Sequence, residues 1–153
     1  MPVEGVYEGS YSVQGGDFEA AGEVASRIKK ALKGKGFPES VLRRVAIVTF
    51  EAEVNIISYA EQGSIQCTAN PEAVVIRAVD RGPGIEDVEL ARQEGYSTAD
   101  DRIREMGFGA GMGLNNIQKF SDTFEIYSRL GKGTFLKIVI GDPADRRGSA
   151  RQI

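Results

Sequence analysis

One run of glycines constrains this chain more than any other feature. Between Gly107 and Leu114 glycine occupies four alternate positions, and a helix-like segment, residues 115–120, follows at once. Glycine leaves the backbone amides uncovered, and both the amides and the dipole at a helix N-terminus favour negative charge. The run therefore predicts a phosphate-binding loop leading into a helix. A flexible loop is the alternative, and the choice depends on the rest of the chain.

The composition is that of an ordinary globular protein. The chain has 153 residues, of which 41% are hydrophobic and 27% charged, so one domain is the simplest expectation. Apolar runs are too short to span a bilayer and the N-terminus has no signal pattern, so we expect a cytoplasmic protein without a membrane partner. The net charge of -3 gives no general attraction for nucleic acid, and we expect no such partner.

The chain contains no histidine and a single cysteine, Cys67. Missing histidine removes the commonest general base, the commonest zinc ligand and the usual partner of a catalytic serine or cysteine. Proton transfer would have to use a carboxylate, a lysine, a tyrosine or water. One cysteine excludes an internal disulfide and a CxxC site, and we interpret Cys67 as a strand residue without a chemical role.

Apolar periodicity and turn residues predict the order of the elements. The predicted elements are a strand over 4–14, helices over 18–32 (with Asp17 as N-cap) and 38–59, strands over 64–68 and 73–79, a short helix over about 86–92, a helix after the glycine run, and strands over 123–128 and 133–140. The strands 64–68 and 73–79 are expected to be antiparallel neighbours, with the second one central. We expect one domain over residues 1–141 and a loose tail over 142–153.

Two short polar clusters stand beside these elements. Glu51 and Asn55 are four residues apart and share one face of the second helix, whereas Glu53 points away and is expected to be solvated. Asp80 to Gly84 closes the central strand abruptly. Each cluster also has a plain structural interpretation, as a polar helix edge and as a turn.

The pattern acquires a chemical meaning if these clusters, the glycine run and Thr134 meet at one ligand. An ionised aspartate only accepts hydrogen bonds, so Asp80 would take one from the amino group of adenine. Asn55 would offer a neutral oxygen to Mg²⁺. Glu51 could orient or deprotonate an attacking hydroxyl. The Walker pattern and the GxGxxG fingerprint are both absent, so a different nucleotide site is needed.

This set of motifs resembles the GHKL family of ATPases, which includes the gyrase and histidine-kinase types. The N box, G1 box, lid and G2 box of that family are similar to residues 51–55, 80–84, about 95–106 and 107–114. The resemblance runs from about residue 18 to residue 140. Within the family the chain looks most like the single-domain anti-sigma regulatory factors that are serine/threonine-protein kinases, in particular the switch kinase of the stress-response branch.

The resemblance implies an α+β fold: a two-layer α/β sandwich with helices on one face of a mostly antiparallel mixed sheet. It implies ATP and Mg²⁺ as cofactors, with Glu51 as the general base and Asn55 as the metal ligand. The implied nucleotide contacts are Asn55, Asp80, Gly82, Gly84, Gly109, Ala110, Gly111, Met112, Gly113, Leu114 and Thr134. The implied reaction transfers the γ-phosphoryl group to a serine or threonine of an anti-sigma-factor antagonist of the STAS type.

Two other functions stay open. The chain could be a nucleotide-gated binding module that captures or releases a sigma factor or a phosphatase without transferring phosphate. It could also be the ATPase core of a histidine kinase, although the dimerisation helices and an acceptor histidine are missing. A homodimer is compatible with each function. Arg102 and Arg104 in the predicted lid could close over the phosphates, but arginines in such loops are more often solvated.

Overall fold

The computed structural model describes residues 6–85 and 113–141, together with Val88. Five strands form one sheet in the order β1-β2-β3-β5-β4, and all four pairings are antiparallel. The strands are β1 (Tyr7–Gln14), β2 (Gln62–Ala69), β3 (Ala73–Arg81), β4 (Thr123–Arg129) and β5 (Gly133–Gly141). The prediction that the strand beginning at residue 73 is central and antiparallel to its neighbour is confirmed.

Within residues 6–85 and 113–141, three helices cover one face of this sheet. They are α1 (Glu23–Gly34), α2 (Glu39–Tyr59) and α3 (Gly113–Phe120). Alternate strand residues are buried with the apolar faces of the helices in a single core, in which Cys67 is fully buried. The opposite face is more exposed, as the exposed fractions of Val79 (47%) and Tyr127 (60%) show. The predicted α+β architecture is confirmed.

The first helix begins later than its apolar spacing predicts. Residues Phe18–Ala20 form a short 3₁₀ turn, and α1 starts only at Glu23, after Gly22 adopts a φ of 95°. This left-handed conformation suits glycine and interrupts a helix. The Asp17 side chain makes no capping hydrogen bond, so its predicted role as the N-cap of α1 is wrong.

A carboxylate from another helix caps α1 instead. Glu53 of α2 is only 1% exposed, and its side-chain oxygens accept hydrogen bonds from the backbone amides of Val24 (3.1 Å) and Ala25 (3.2 Å). The amide of Gly22 donates to it as well. The prediction of a solvated Glu53 is therefore wrong, because the first amides of a helix require an acceptor and favour a negative charge.

We expect Glu53→Ala to lower the free energy of unfolding by about 3 kcal/mol, because it leaves several buried amides without an acceptor. Urea denaturation followed by circular dichroism measures this loss. Glu72→Ala, which removes an exposed carboxylate from a turn, is the matched control and should change stability little. Equal midpoints for the two variants would contradict the capping role.

Several predicted segments lie outside the described residues: the short helix near 86–92, the lid, residues 107–112 and the tail. The domain boundary at residue 141 stays a prediction. Among the residues that the structure does describe, none of the helices has the length and apolar character needed to cross a bilayer.

Candidate nucleotide-binding site

Helix α2 positions the first two predicted site residues. Glu51 and Asn55 are both partly exposed, whereas Ala52 and Ile56, which follow each of them, are buried. Residues four apart lie one above the other on a helix surface. The two polar side chains therefore lie one turn apart along the same edge of the helix, as predicted.

The glycine-led helix begins beside Glu51. A methyl group placed on Gly113 would lie 3.3 Å from Glu51 Oε2. The side-chain amide of Asn116, one turn further along α3, donates a hydrogen bond to the same carboxylate. Burial raises the pKa of Glu51, and the hydrogen bond from Asn116 opposes that rise. The carboxylate thus lies against the first turn of α3, where helix amides have no partner within the helix.

At the other end of the site, Asp80 is fixed by strand β5. Its Oδ1 accepts a hydrogen bond from the backbone amide of Thr134 at 3.1 Å. Burial raises the pKa of Asp80, and this amide opposes the rise. A Cβ atom on Gly133 would lie 2.0 Å from the Asp80 carbonyl oxygen, so only glycine lets β5 approach this closely. The structure thus brings Asp80 and Thr134, both predicted to contact the nucleotide, into contact with each other, and their contact with a nucleotide stays a prediction.

The turn after Asp80 packs against the end of α2. A Cβ atom on Gly82 would lie 3.0 Å from Ala60 Cα and 3.3 Å from Asp80 Oδ1. Gly84 has a φ of 78°, which favours glycine, and its backbone lies against the Arg129 carbonyl of the β4–β5 hairpin. The turn is therefore held between α2 and the hairpin.

Both ends of the predicted site thus contact the same helix. Gly113 marks the end at Glu51 and Gly82 marks the end at Ala60. Ala60, the C-cap of α2, follows Glu51 by nine positions, a rise of about 14 Å, with Asn55 between them. A nucleoside triphosphate is an elongated molecule that can reach along such an edge, with its base at the Asp80 end and its phosphates at the Glu51 end.

Leu114 differs from the other predicted contacts, because its side chain is buried in the core. Only its backbone could face a phosphate. The remaining predicted loop residues, Gly109 to Met112, and the lid arginines Arg102 and Arg104 lie outside the described residues.

Two side chains of the site were not identified from the sequence. Asn116 follows Gly113 by one helical turn, so a helical projection of α3 could have placed it beside the loop. Ser128 contacts Thr134 across the β4–β5 hairpin and Ile85, which is 43 residues away in sequence. No sequence signal identifies Ser128, because its contacts depend on the register of β4 against β5 and on the path of the turn.

The residues present fit Mg²⁺ that arrives with a nucleotide. Within residues 6–85 and 113–141, no group of three or more cysteine or acidic side chains could hold a metal ion. Mg²⁺ commonly takes one or two protein ligands and completes its shell with phosphates and water. The amide oxygen of Asn55 could serve as such a ligand.

A concave region lies on another part of the molecule. A groove of about 420 Å³ separates β1 from the beginning of α1, and its wall includes Tyr11, Asp17 and Arg27. Among the residues that the structure describes, none of the predicted nucleotide contacts lines it. The groove is therefore distinct from the edge of α2 on which the predicted contacts lie.

The sequence is similar to those of known proteins. Residues 16–140 match the family model described as a histidine kinase-like ATPase domain. The serine/threonine-protein kinase RsbT of Bacillus subtilis is 28% identical over 127 residues, which cover 80% of this chain and 87% of the kinase. An anti-sigma F factor of Caldanaerobacter subterraneus is 34% identical over 93 residues, which cover 58% of this chain and 62% of that factor.

A solved structure has the same fold. The histidine kinase domain of a blue-light activated histidine kinase from Erythrobacter litoralis superimposes with a TM-score of 0.52. The superposition covers 83% of this chain and 63% of that one, at 18% sequence identity. The resemblance inferred from the motifs and the predicted fold are both confirmed.

Proposed function

Because this chain belongs to the histidine kinase-like ATPase family, we propose that it binds ATP and Mg²⁺ along the edge of α2 and phosphorylates a regulatory protein on serine or threonine. The observation that carries this proposal is the double contact of α2, with the glycine-led helix at Glu51 and with the Gly82 turn at Ala60. A ligand that reaches the rise of about 14 Å between Glu51 and Ala60 could touch both motifs.

The base would bind at the Asp80 end. A carboxylate has two oxygens, and the amide of Thr134 occupies Oδ1. The other oxygen is then the acceptor for the amino group of adenine. Guanine presents a carbonyl at that place, which a carboxylate cannot bind. Asp80 would therefore give the site its preference for adenine.

The phosphates would bind at the other end, on the amides of the glycine run and the first turn of α3. Asn55 would hold Mg²⁺, which neutralises phosphate charge when bound. In the reaction, the hydroxyl oxygen of the partner's serine or threonine bonds to the γ-phosphorus while the bond to the bridging oxygen of ADP breaks. Glu51 would accept the hydroxyl proton. Phosphoryl transfer depends mainly on such positioning and on charge stabilisation.

Burial and the hydrogen bond from Asn116 adjust the pKa of Glu51 for this role. A general base works best when its pKa lies near the operating pH, and burial moves the pKa of Glu51 in that direction. The hydrogen bond from Asn116 favours the ionised form, which is the form that accepts a proton.

We expect Asn116→Leu, which removes the donor and preserves the size of the side chain, to shift the acidic limb of the rate profile to higher pH. The reason is that Glu51 loses the interaction that lowers its pKa. Initial rates of phosphoryl transfer measured as a function of pH give the shift. Gln118→Leu changes an exposed amide on the same helix and serves as the control. An unchanged acidic limb in Asn116→Leu would contradict this role of Asn116.

We propose an anti-sigma-factor antagonist of the STAS type as the phosphorylated partner. The support is indirect: of two similar proteins, one is named a serine/threonine-protein kinase and the other an anti-sigma F factor. The test is incubation of the chain with γ-labelled ATP, Mg²⁺ and purified candidate antagonist domains. Label on a serine or threonine of one domain supports the kinase.

The similarity to an anti-sigma F factor also favours a second function, a nucleotide-gated module that holds a sigma factor or a phosphatase. The same incubation separates the two. Formation of a complex that requires ATP, without transfer of label, would support the binding module and contradict the kinase.

A further inference from the structure

The hydroxyl group of Ser128 lies where three segments meet. Ser128 is near the end of β4 and pairs with Thr134 of β5. Its Oγ accepts a hydrogen bond from the backbone amide of Ile85, which follows the Gly82–Gly84 turn, at 2.7 Å. The same oxygen lies 3.2 Å from the Gly133 carbonyl oxygen and 3.0 Å from Thr134 Oγ1.

The number of protons on Ser128 fixes the direction of each bond when all three contacts are hydrogen bonds at the same time. A serine hydroxyl has one proton and two lone pairs. The amide of Ile85 is a donor, so it takes one lone pair of Ser128. The carbonyl of Gly133 has no proton, so Ser128 must donate its own proton to it. The contact with Thr134 is then a hydrogen bond only if the Thr134 hydroxyl is the donor.

Both donors of Thr134 are engaged in this arrangement. With Ser128 donating to Gly133, the Thr134 hydroxyl is the donor of the 3.0 Å contact with Ser128. The backbone amide of Thr134 donates to Asp80 Oδ1. Thr134 is only 6% exposed, so its hydroxyl has little freedom to turn toward water. Asp80 and Thr134 then present acceptor oxygens to a ligand: those of the Asp80 carboxylate and of the Thr134 hydroxyl. Such a set matches a base edge that donates, as the amino group of adenine does, and opposes one that presents a carbonyl oxygen.

We propose that Ser128 is a positioning residue for base specificity: by accepting the proton of Thr134 it keeps the Thr134 hydroxyl oxygen an acceptor toward the bound base. The proposal rests on the proposed ATP site, since it concerns the base end of that site. Ser128 also ties the Gly84–Ile85 turn to the strand that carries Thr134. One hydroxyl thus links the turn beneath the base to the acceptors at its edge.

The test compares ATP with inosine triphosphate. Inosine triphosphate has a carbonyl where adenine has its amino group, and a ring N–H where adenine has an unprotonated ring nitrogen. The two nucleotides are otherwise the same. Dissociation constants are measured by calorimetry with Mg²⁺. We expect the wild type to prefer ATP, and we expect Ser128→Ala to lower that preference by about tenfold, because the freed Thr134 hydroxyl can donate to the inosine carbonyl. Ser128→Thr, which restores a hydroxyl, should recover the preference.

Two further variants distinguish an effect of Ser128 on base specificity from an effect on folding. Ser12→Ala removes an exposed hydroxyl from β1 and should leave the preference unchanged. Thr134→Val removes the hydroxyl that Ser128 orients, so adding Ser128→Ala to it should change the preference no further. If Ser128→Ala alone fails to fold, Thr134→Val tests the proposal by itself, because it removes the hydroxyl that Ser128 orients and should lower the preference for ATP as well.

The outcomes distinguish this proposal from the proposed function. If Ser128→Ala weakens ATP and inosine triphosphate by the same factor, Ser128 acts only on the fold and the proposal is overturned while the ATP site stands. A wild type that binds ATP without preference over inosine triphosphate overturns it in the same way. A wild type that binds neither nucleotide overturns the proposed function as well.

Discussion

Glu51→Gln is expected to slow phosphoryl transfer by about 10² to 10⁴-fold, the range that a general base contributes. Glutamine has the size and the acceptor oxygen of glutamate, so the hydrogen bond from Asn116 can persist, but it cannot take up a proton. The affinity for ATP should not fall, because Asp80 and the glycine-led helix are untouched. Single-turnover assays with labelled ATP give the rate, and calorimetry gives the affinity.

The same substitution should raise stability. Burial raises the pKa of Glu51 in the folded protein. A carboxyl with a raised folded pKa stabilises the fold below its unfolded pKa, and this contribution is lost as the pH rises through the folded pKa. At neutral pH the ionised side chain therefore destabilises the fold, and glutamine removes that charge. Thermal denaturation at pH 7 should give a higher Tm for Glu51→Gln than for the wild type.

Loss of activity with a gain in stability is the signature of a residue retained for function. Glu39→Gln, which changes an exposed acid at the start of the same helix, is the control for activity and should transfer phosphate at the wild-type rate. Wild-type activity in Glu51→Gln would remove Glu51 from the reaction. The kinase itself would then need another base.

Asp80→Asn is expected to weaken ATP binding by about 100-fold, or about 3 kcal/mol. An amide side chain has one acceptor oxygen where the carboxylate has two. If that oxygen keeps the amide of Thr134, the NH₂ group faces the amino group of adenine, and two donors meet. If the side chain turns over, the buried amide of Thr134 loses its acceptor. Either arrangement leaves a donor unpaired.

The pH dependence of ATP binding provides a second test of the Asp80→Asn variant. Burial raises the pKa of Asp80, and only its ionised form is purely an acceptor. In the wild type, ATP affinity should fall as the pH drops through this raised pKa, whereas Asp80→Asn should show no such change. Calorimetric titrations across the acidic range measure both. Asp17→Asn changes an exposed aspartate whose side chain makes no capping hydrogen bond, and it serves as the control. Equal affinities of Asp80→Asn and the wild type for ATP would refute the role of Asp80.

Much of the fold could be predicted because each element has a local signal. The apolar stripe of α2 and the near-continuous apolar run of β3 specify an amphipathic helix and a central strand. The start of α1 could not be predicted in this way, because the apolar spacing continues from Phe18 past Gly22. Only the backbone conformation of Gly22 shows that the helix begins after it.

The site was predictable where chemistry is tied to motif order and unpredictable where it depends on tertiary packing. Asp80 precedes the Gly82-Pro83-Gly84 turn and Thr134 follows Gly133, so both stand beside a recognisable glycine pattern, and the structure joins them by a hydrogen bond. The prediction of a solvated Glu53 was wrong because a helical projection shows only that its side chain points away from the side of α2 that carries Glu51. The projection does not show that the backbone amides at the start of α1 lie next to Glu53 and donate hydrogen bonds to its carboxylate.

The most direct test of the nucleotide site is a crystal structure of the chain grown with Mg²⁺ and a non-hydrolysable ATP analogue. We predict that the adenine amino group lies about 3 Å from an Asp80 oxygen, that the metal lies about 2.1 Å from the amide oxygen of Asn55, and that the phosphates face the first turn of α3. A nucleotide bound in the groove between β1 and α1, or an edge of α2 that stays empty at saturating nucleotide, would contradict the proposed site.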